Sequence, residues 1–219
     1  MNNELTKRIL SSFVLIPISF YLILEGKFLF NIFLILIFLI STKEWFELSR
    51  VKFLSLTGFL FLIFSFFTIY QIRNLVSLNN ENLFYFFLVL VICISTDIGG
   101  YLFGNIFKGS KLTTISPKKT VSGLFGAFIL SLILTSIYLA YSENFFINFK
   151  EPGDEIYFMI IFISAVSQIG DILISFFKRS SNKKDTGNLI PGHGGILDRI
   201  DGMIFSFPIT YILITNNFL

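Results

Sequence analysis

Seven apolar runs constrain this chain more than any other feature of its sequence. They lie at about residues 9–24, 28–42, 53–70, 83–103, 121–141, 157–177 and 203–216. A helix needs about 20 mostly apolar residues to cross the hydrocarbon core of a bilayer, and most of these runs approach that length. We therefore predict an all-α fold, a polytopic membrane bundle of about seven transmembrane helices, with a tight hairpin between the first two.

The composition excludes several other classes of protein. Hydrophobic residues make up 54% of the 219 positions, and charged residues make up only 14%, against about 25% in soluble domains. This balance excludes a disordered chain, a disulfide scaffold and an ordinary soluble enzyme. The net charge of +3 is too small and too dispersed to favour nucleic acid as a partner. The single cysteine, Cys93, lies in an apolar run, and we predict that it is buried.

The distribution of Lys and Arg predicts the orientation. If the N-terminus is cytoplasmic and the seven runs alternate in direction, only three of the 17 basic residues fall on the outer side. These three are Lys27, Arg73 and Lys150. Because basic loops stay in the cytoplasm, we predict a cytoplasmic N-terminus, an outer C-terminus and cytoplasmic loops at 104–120 and 178–202. We divide the chain into N-terminal transmembrane helices, 1–82, and a catalytic transmembrane region, 83–219.

Two carboxylates interrupt apolar runs. Asp97 and Asp171 would each cost about 2.5–3.5 kcal/mol to insert at the bilayer centre, so we expect each to have a polar partner. One interpretation is a structural hydrogen bond between helices. The other is a functional site, because helical spacing places Ser167, Asp171, Ser175 and Lys178 on one face. Such a polar stripe is typical of a helix that lines a water-filled cavity.

Two further carboxylates follow in the second cytoplasmic loop. Asp198 and Asp201 are three residues apart, so both lie on one face if they begin the last helix. Together with Asp171 they form a donor set that suits a hard divalent cation such as Mg²⁺. The sequence has no cluster of Cys and His to suggest zinc. Glycines around His193 leave backbone N–H groups that suit phosphate oxygens, and His193 itself is either structural or catalytic.

The first cytoplasmic loop carries hydroxyl groups and lysines at Ser116, Lys118, Lys119 and Thr120. These groups suit the oxygens of a polyphosphate, although a lysine-rich cytoplasmic loop is also what membrane topology alone favours. Combined with the carboxylates and the predicted cation, the two loops predict phosphoryl or nucleotidyl transfer at the cytoplasmic face.

One long motif carries a family resemblance. It reads Ser175-x-Phe177-Lys178-Arg179-x4-Lys184-Asp185-x-Gly187-x2-Ile190-Pro191-x-His193-Gly194-Gly195-Ile196-x-Asp198-Arg199-Ile200-Asp201. This stretch resembles the signature of phosphatidate cytidylyltransferases, also called CDP-diacylglycerol synthases. A second block, formed by Asp97, Gly100, Tyr101, Gly104 and residues 116–120, is similar to the other characteristic block of that family. The chain departs from the family in having Ser122 where a Glu is usual, and it is short for the family.

The resemblance implies a reaction and a set of roles. Phosphatidic acid and CTP would give CDP-diacylglycerol and pyrophosphate, with Mg²⁺ and a K⁺ ion beside it, at the cytoplasmic face of the inner membrane. The residues implied to be catalytic are Asp171, Lys178, Arg179, Asp198 and Asp201. Those implied to hold metal are Asp171, Asp198 and Asp201, with Asp97 as a secondary carboxylate. Those implied to bind substrate are Ser116, Lys118, Lys119, Thr120, Lys184, Asp185, His193, Gly194, Gly195 and Arg199.

Three alternatives stay open at this point. A CDP-alcohol phosphotransferase also uses membrane aspartates and Mg²⁺, but only Asp201-Gly202 begins its pattern. A cation-coupled transporter would use Asp97 and Asp171 as ion ligands, although discontinuous helices at mid-membrane would then be expected. An inactive relative with a structural role is suggested by Ser122. The sequence also leaves open whether the protein is a homodimer.

Overall fold

The computed structural model describes residues 3–49, 51–74, 81–113, 116, 119–142, 153–216 and 218. Within these ranges the chain forms eight helices joined by loops. They are α1 (Asn3–Glu25), α2 (Lys27–Leu48), α3 (Lys52–Asn74), α4 (Glu81–Phe107), α5 (Val121–Ser142), α6 (Glu155–Ser180), α7 (Leu197–Ile200) and α8 (Met203–Thr215). Seven of them match the predicted apolar runs, and α7 is a short additional helix. The predicted all-α class is confirmed.

Five helices in the described part of the chain are long and apolar enough to cross a membrane. They are Phe28–Leu48, Lys52–Asn74, Asn82–Phe107, Val121–Ser142 and Glu155–Ser180. Two shorter apolar helices cover Ile9–Glu25 and Met203–Thr215. Large apolar side chains also cover the surface, and Phe13 is 77% exposed. Because lipid solvates such side chains at no cost, the protein is a multi-pass membrane protein.

Two compact units make up the chain. The first unit contains Met1–Tyr70 and Phe177–Ile200, and the second contains Gln71–Phe176 and Asp201–Leu219. The predicted loop 104–120 belongs to the second unit. Most of the predicted loop 178–202 belongs to the first, which therefore combines N-terminal helices with the signature motif.

In the first unit, Trp45 anchors the C-terminal end of α2. Its indole N–H donates to the Ser55 carbonyl oxygen at 3.1 Å, and its ring packs edge-on against Phe177 with centroids 4.8 Å apart. The Ser181 hydroxyl donates to the carbonyl oxygen of Leu48, the last residue of α2. These contacts tie the end of α2 to the start of the signature loop.

In the second unit, glycines bring α4 and α5 together. A Cβ at Gly99 would lie 2.5 Å from the carbonyl oxygen of Gly126, and one at Gly123 would lie 2.7 Å from that of Gly100. Backbone contact this close requires residues without side chains. Gly99 and Gly123 therefore permit the close packing of α4 against α5.

A buried apolar cluster joins α4 to α6 in the same unit. Its members are Phe84, Leu88, Ile92, Ile156, Ile160 and Ile163. One turn further along, the Thr96 and Ser164 hydroxyls form a buried hydrogen bond of 2.7 Å between the two helices. Cys93 is also buried there, as predicted. This packing fixes α6, the helix that carries Asp171.

Candidate active site

Asp198 is the centre of a buried charged network in the first unit. Its Oδ1 accepts a hydrogen bond from Lys178 Nζ at 2.8 Å. Its Oδ2 accepts from the Thr186 N–H at 2.8 Å, the Thr186 hydroxyl at 3.0 Å and the Gly195 N–H at 3.0 Å. The side chains of Lys178 and Asp198 are only 11% and 3% exposed. This set of residues, together with Glu44, is called the Asp198 cluster below.

The surroundings of Asp198 stabilise its charged form. Burial alone would raise the pKa of this carboxyl group. The hydrogen bond from Lys178 and those from the Gly195 and Thr186 amides outweigh burial, so the pKa lies below its usual value. Asp198 is therefore an ionised, fully hydrogen-bonded anion that holds the Lys178 ammonium in one place.

The glycine pair of the signature motif makes room for this network. Gly194 has a φ of +89°, a conformation that favours glycine, and a Cβ there would lie 2.8 Å from Asp198 Oδ2. A Cβ at Gly195 would overlap the side chains of Thr186 and Glu44. In this structure the Gly195 N–H donates to Asp198, so the glycine segment binds a carboxylate of the protein itself.

His193 lies against α1 in the first unit. Its Nδ1 is 2.9 Å from the Ser11 hydroxyl, and its Nε2 is 3.3 Å from the Ser12 hydroxyl. The backbone carbonyl of His193 accepts a hydrogen bond from Arg199 Nη2 at 3.0 Å. The imidazole also borders an apolar cavity of about 470 Å³ on α1. These contacts give His193 a role in the shape of the loop.

Four other predicted residues of the signature motif are exposed. Arg179, Lys184, Asp185 and Arg199 all have solvent-accessible side chains. Arg179 Nη1 donates to the Lys183 carbonyl oxygen at 3.2 Å, and Asp185 lies beside Gly194. Three cationic groups thus surround the loop at its surface, where a soluble polyphosphate can reach them.

Asp171 and Lys119 form a second charged group, called the Asp171 pair below, in the second unit. Lys119 Nζ lies 2.5 Å from Asp171 Oδ2, and the two side chains are 24% and 29% exposed. The Ser175 hydroxyl donates to Asp171 Oδ1 at 3.3 Å. Lys119 Nζ also reaches the backbone carbonyl of Gln168 at 3.5 Å. The predicted phosphate-binding lysine is therefore the counter-ion of a predicted metal ligand.

The backbone of Asp201 lies against Gly170, the residue that precedes Asp171. Asp201 is buried, and its Oδ1 accepts a hydrogen bond from the Gly202 N–H at 2.9 Å. A Cβ at Gly170, the residue before Asp171, would lie 2.8 Å from the Asp201 backbone carbonyl. Gly170 therefore permits the close backbone approach that brings the start of α8 against α6.

The predicted loop 104–120 is held by its own hydroxyl groups. Thr120 Oγ1 accepts a hydrogen bond from the Gly123 N–H at 3.1 Å, which caps the N-terminus of α5. Ser122 donates to the Lys108 carbonyl oxygen, and the Ser116 N–H donates to the Thr113 hydroxyl at 3.1 Å. Lys118 lies outside the described residues. Of this predicted phosphate site, the structure thus describes Ser116, Lys119 and Thr120.

The donor chemistry fits a hard cation at some of the predicted metal ligands. Asp171 and Asp201 are oxygen donors in one unit, and Asp171 is accessible to solvent. Asp198 would have to release Lys178 before it could bind a cation. Asp97 is exposed on α4. Among the residues that the structure describes, no three His, Cys, Asp or Glu side chains are grouped to hold a metal ion by themselves.

Comparison with known proteins adds an independent line of evidence. The model of the cytidylyltransferase family matches residues 6–78 and 52–216. A relative from Rickettsia bellii, named phosphatidate cytidylyltransferase, is 36% identical over 216 residues, which cover 96% of this chain and 91% of the relative. The chain belongs to the cytidylyltransferase family.

Two other family members of the same name show how chain length varies. The one from Rickettsia conorii is 36% identical over 211 residues, covering 94% of this chain and 89% of the relative. The one from Bacillus subtilis is 36% identical over 190 residues, covering 85% of this chain but only 66% of the relative. The chain is thus short beside the Bacillus protein, as expected, but close in length to the Rickettsia proteins.

Sequence reasoning missed two residues of the Asp198 cluster, Thr186 and Glu44; Thr186 occupies an unspecified position of the signature motif. Glu44 lies on α2, far from the signature motif in sequence, and no pattern in the sequence assigned it a role. The structure buries it, with only 5% exposed. Its position within Lys43-Glu44-Trp45, at the end of an apolar run, was the available signal. That signal is weak because charges commonly flank a transmembrane helix.

Proposed function

We propose that this chain catalyses the transfer of a cytidylyl group from CTP to phosphatidic acid. An oxygen of the lipid phosphate attacks the α-phosphorus of CTP, and the bond from that phosphorus to the β-phosphate oxygen breaks. The products are CDP-diacylglycerol and pyrophosphate. The likeness to relatives named phosphatidate cytidylyltransferase over nearly the whole chain carries this proposal.

The charged groups of the protein suit this reaction. Both substrates are anions, so their mutual repulsion is a main obstacle, and fixed positive charge lowers it. Lys178 is held rigidly by Asp198. Arg179, Lys184 and Arg199 are exposed cations near the loop surface, and Lys119 is accessible beside Asp171. The nucleophile belongs to the lipid, so the protein needs no nucleophilic Ser or Cys.

We also propose that Mg²⁺ is required and that Asp171 and Asp201 would hold it, with Asp97 as a secondary carboxylate. When bound, the ion supplies charge neutralisation to the triphosphate. Asp198 as a third ligand stays a prediction that requires Lys178 to move. When the nucleotide binds, the Lys119 ammonium group would leave Asp171 and bind a phosphate oxygen instead, because both contacts use the same group.

A transfer assay tests the reaction. Purified protein in lipid nanodiscs is incubated with α-labelled CTP and phosphatidic acid, with and without Mg²⁺. We expect label to enter a lipid product, with one pyrophosphate released per label transferred, only when Mg²⁺ and phosphatidic acid are present. Omitting phosphatidic acid controls for CTP hydrolysis. A wild-type protein that transfers no label to lipid would refute the proposal.

A labelling experiment tests the orientation, which we propose to be cytoplasmic for both loops in the inner membrane. Single cysteines at the exposed positions Ser110 and Asn188 should react with an impermeant maleimide only from the cytoplasmic side. A cysteine at Asp154, also exposed, should react only from the outer side. Cys93 is only 1% exposed, so we expect little background labelling from this native cysteine. Labelling of position 110 or 188 from outside would overturn the orientation.

A further inference from the structure

Glu44 is a buried carboxylate that belongs to the Asp198 cluster without belonging to the signature motif. Its Oε2 accepts a hydrogen bond from the Leu197 N–H at 2.8 Å, and its Oε1 accepts one from the Ile196 N–H at 3.0 Å. The Thr186 hydroxyl lies 2.8 Å from the same Oε2. Three donors of the signature loop therefore converge on one side chain of α2.

The loop is shaped around this carboxylate. A Cβ at Gly187 would lie 2.7 Å from Glu44 Oε1, and a Cβ at Gly195 would overlap the Glu44 carboxylate. Two glycines of the motif thus leave the space that the Glu44 side chain occupies. A network this closely packed specifies one loop conformation, because each buried donor that lost its acceptor would be left unsatisfied.

Thr186 connects Glu44 to Asp198. Its hydroxyl lies 2.8 Å from Glu44 Oε2 and 3.0 Å from Asp198 Oδ2. A hydroxyl group carries one proton, so the two carboxylates share a single donor. The position of Asp198, and through it the position of Lys178, therefore depends on Glu44.

We propose that Glu44 is a positioning residue for the transfer reaction. It holds the backbone at 196–197 and the Thr186 hydroxyl, so that Asp198 keeps the Lys178 ammonium where the phosphate charge develops. Glu44 is too buried to touch the nucleotide. The inference deepens the proposed function and rests on it for its effect on turnover.

Three variants test this role by kinetics. Glu44→Gln replaces one acceptor oxygen by an amino group that faces backbone N–H donors, and Thr186→Val removes the bridging hydroxyl. We expect kcat to fall by about tenfold to a hundredfold in each, the usual cost of losing an outer-shell partner. KM for CTP should change little, because the substrate does not contact Glu44. Thr186→Ser, which restores the hydroxyl, should recover most of the turnover.

Glu47 offers a matched control on the same helix. It lies one turn after Glu44, and its side chain is 49% exposed with Lys183 at 3.5 Å. Glu47→Gln should leave kcat within about twofold of wild type, because exposed ion pairs contribute little. The combined Glu44→Gln and Thr186→Val variant should lose less than the product of the single losses, since both changes break the same connection.

Hydrogen exchange gives a readout that does not require activity. The Ile196 and Leu197 amides donate to Glu44, so Glu44→Gln should speed exchange in a peptide that covers 195–198, whereas Glu47→Gln should not. If wild-type protein transfers no label to lipid, the proposed function fails, and exchange alone then decides whether Glu44 holds the loop. Unchanged exchange in Glu44→Gln would overturn the positioning role.

If the wild-type protein is active, two kinetic outcomes would also overturn the positioning role of Glu44. One is a Glu44→Gln variant with wild-type kcat. The other is a variant in which KM for CTP rises while kcat is unchanged, which would indicate a contact with substrate. If Glu44→Gln does not fold, the Thr186→Val and Thr186→Ser pair decides, because equal turnover in those two variants contradicts the connection.

Discussion

The Asp198 cluster and the Asp171 pair use the same kinds of charged groups in opposite ways. Lys178 and Asp198 are almost completely buried, and backbone amides and a threonine hydroxyl complete the hydrogen bonding of the carboxylate. Lys119 and Asp171 are about one quarter exposed, and a serine hydroxyl at 3.3 Å assists the carboxylate.

The difference indicates which charges are fixed and which can exchange partners. A buried, saturated ion pair cannot rearrange without leaving a charge unpaired, so it suits a fixed electrostatic environment. A partly exposed pair gains less from its contact, and loses less when a ligand replaces one partner, than a buried pair does. We therefore expect the Asp198 cluster to preorganise the site and the Asp171 pair to respond to substrate.

The largest effect should come from Asp198→Asn. The introduced Asn side chain would have one acceptor oxygen instead of two, so it cannot accept hydrogen bonds from all the surrounding donors. Lys178 would be left as an unpaired buried charge. We expect turnover to fall by more than about a hundredfold and stability to fall by about 3–5 kcal/mol. Label transfer and denaturant unfolding in detergent micelles measure the two quantities. Loss of turnover at unchanged stability would remove the distinction between the two charged groups.

A double replacement separates the stability effect from the catalytic one. Lys178→Met combined with Asp198→Asn removes both charges and keeps one oxygen that can accept from the Thr186 and Gly195 N–H groups. Because no buried charge is then left unpaired, we expect this variant to be more stable than Asp198→Asn alone while remaining inactive. A double variant that regained turnover would show that the pair has no part in catalysis.

The next effect should come from Asp171→Asn. We expect turnover to fall by about a hundredfold or more, because the proposed metal ligand is lost. Stability should change by only about 1 kcal/mol, since the broken ion pair is accessible to solvent. The same two measurements apply, with Glu47→Gln as the control for loss of an exposed carboxylate. A stability loss as large as that of Asp198→Asn would contradict the comparison.

A smaller effect is expected for Lys119→Ala. Removing this ammonium should lower kcat/KM for CTP by about tenfold, which is about 1.4 kcal/mol in the barrier. The loss should be smaller in an Asp171→Asn background, because the two side chains interact directly. Steady-state kinetics of the four proteins in this cycle measure the coupling. A change confined to KM for phosphatidic acid would instead assign Lys119 to the lipid phosphate.

The smallest effect should come from Ser122→Glu, which introduces the residue usual in the family. The change removes the hydrogen bond from Ser122 to the Lys108 carbonyl but adds a negative charge beside Thr120. We expect kcat/KM to stay within about tenfold of wild type. Ser122→Ala provides the control, because it loses the same hydrogen bond without gaining charge. A larger loss in the Glu variant than in the Ala variant would show that added charge is harmful here.

Much of this protein could be predicted from its sequence. The apolar runs predicted the helices because the length of a bilayer-spanning helix is set by membrane thickness. The signature motif predicted the family, since its residues lie within one contiguous stretch. The same stretch contains Lys178, Asp198 and Gly195, which the structure brings together.

The partners of these residues depended on tertiary structure. Glu44 is more than 150 positions from Leu197, and only the packing of α2 brings its carboxylate to that amide. The pairing of Lys119 with Asp171 likewise required contact between α6 and the loop that precedes α5. Periodicity describes one helix at a time, so the sequence determined the helices and the motif, whereas packing decided which charges are buried and which remain accessible.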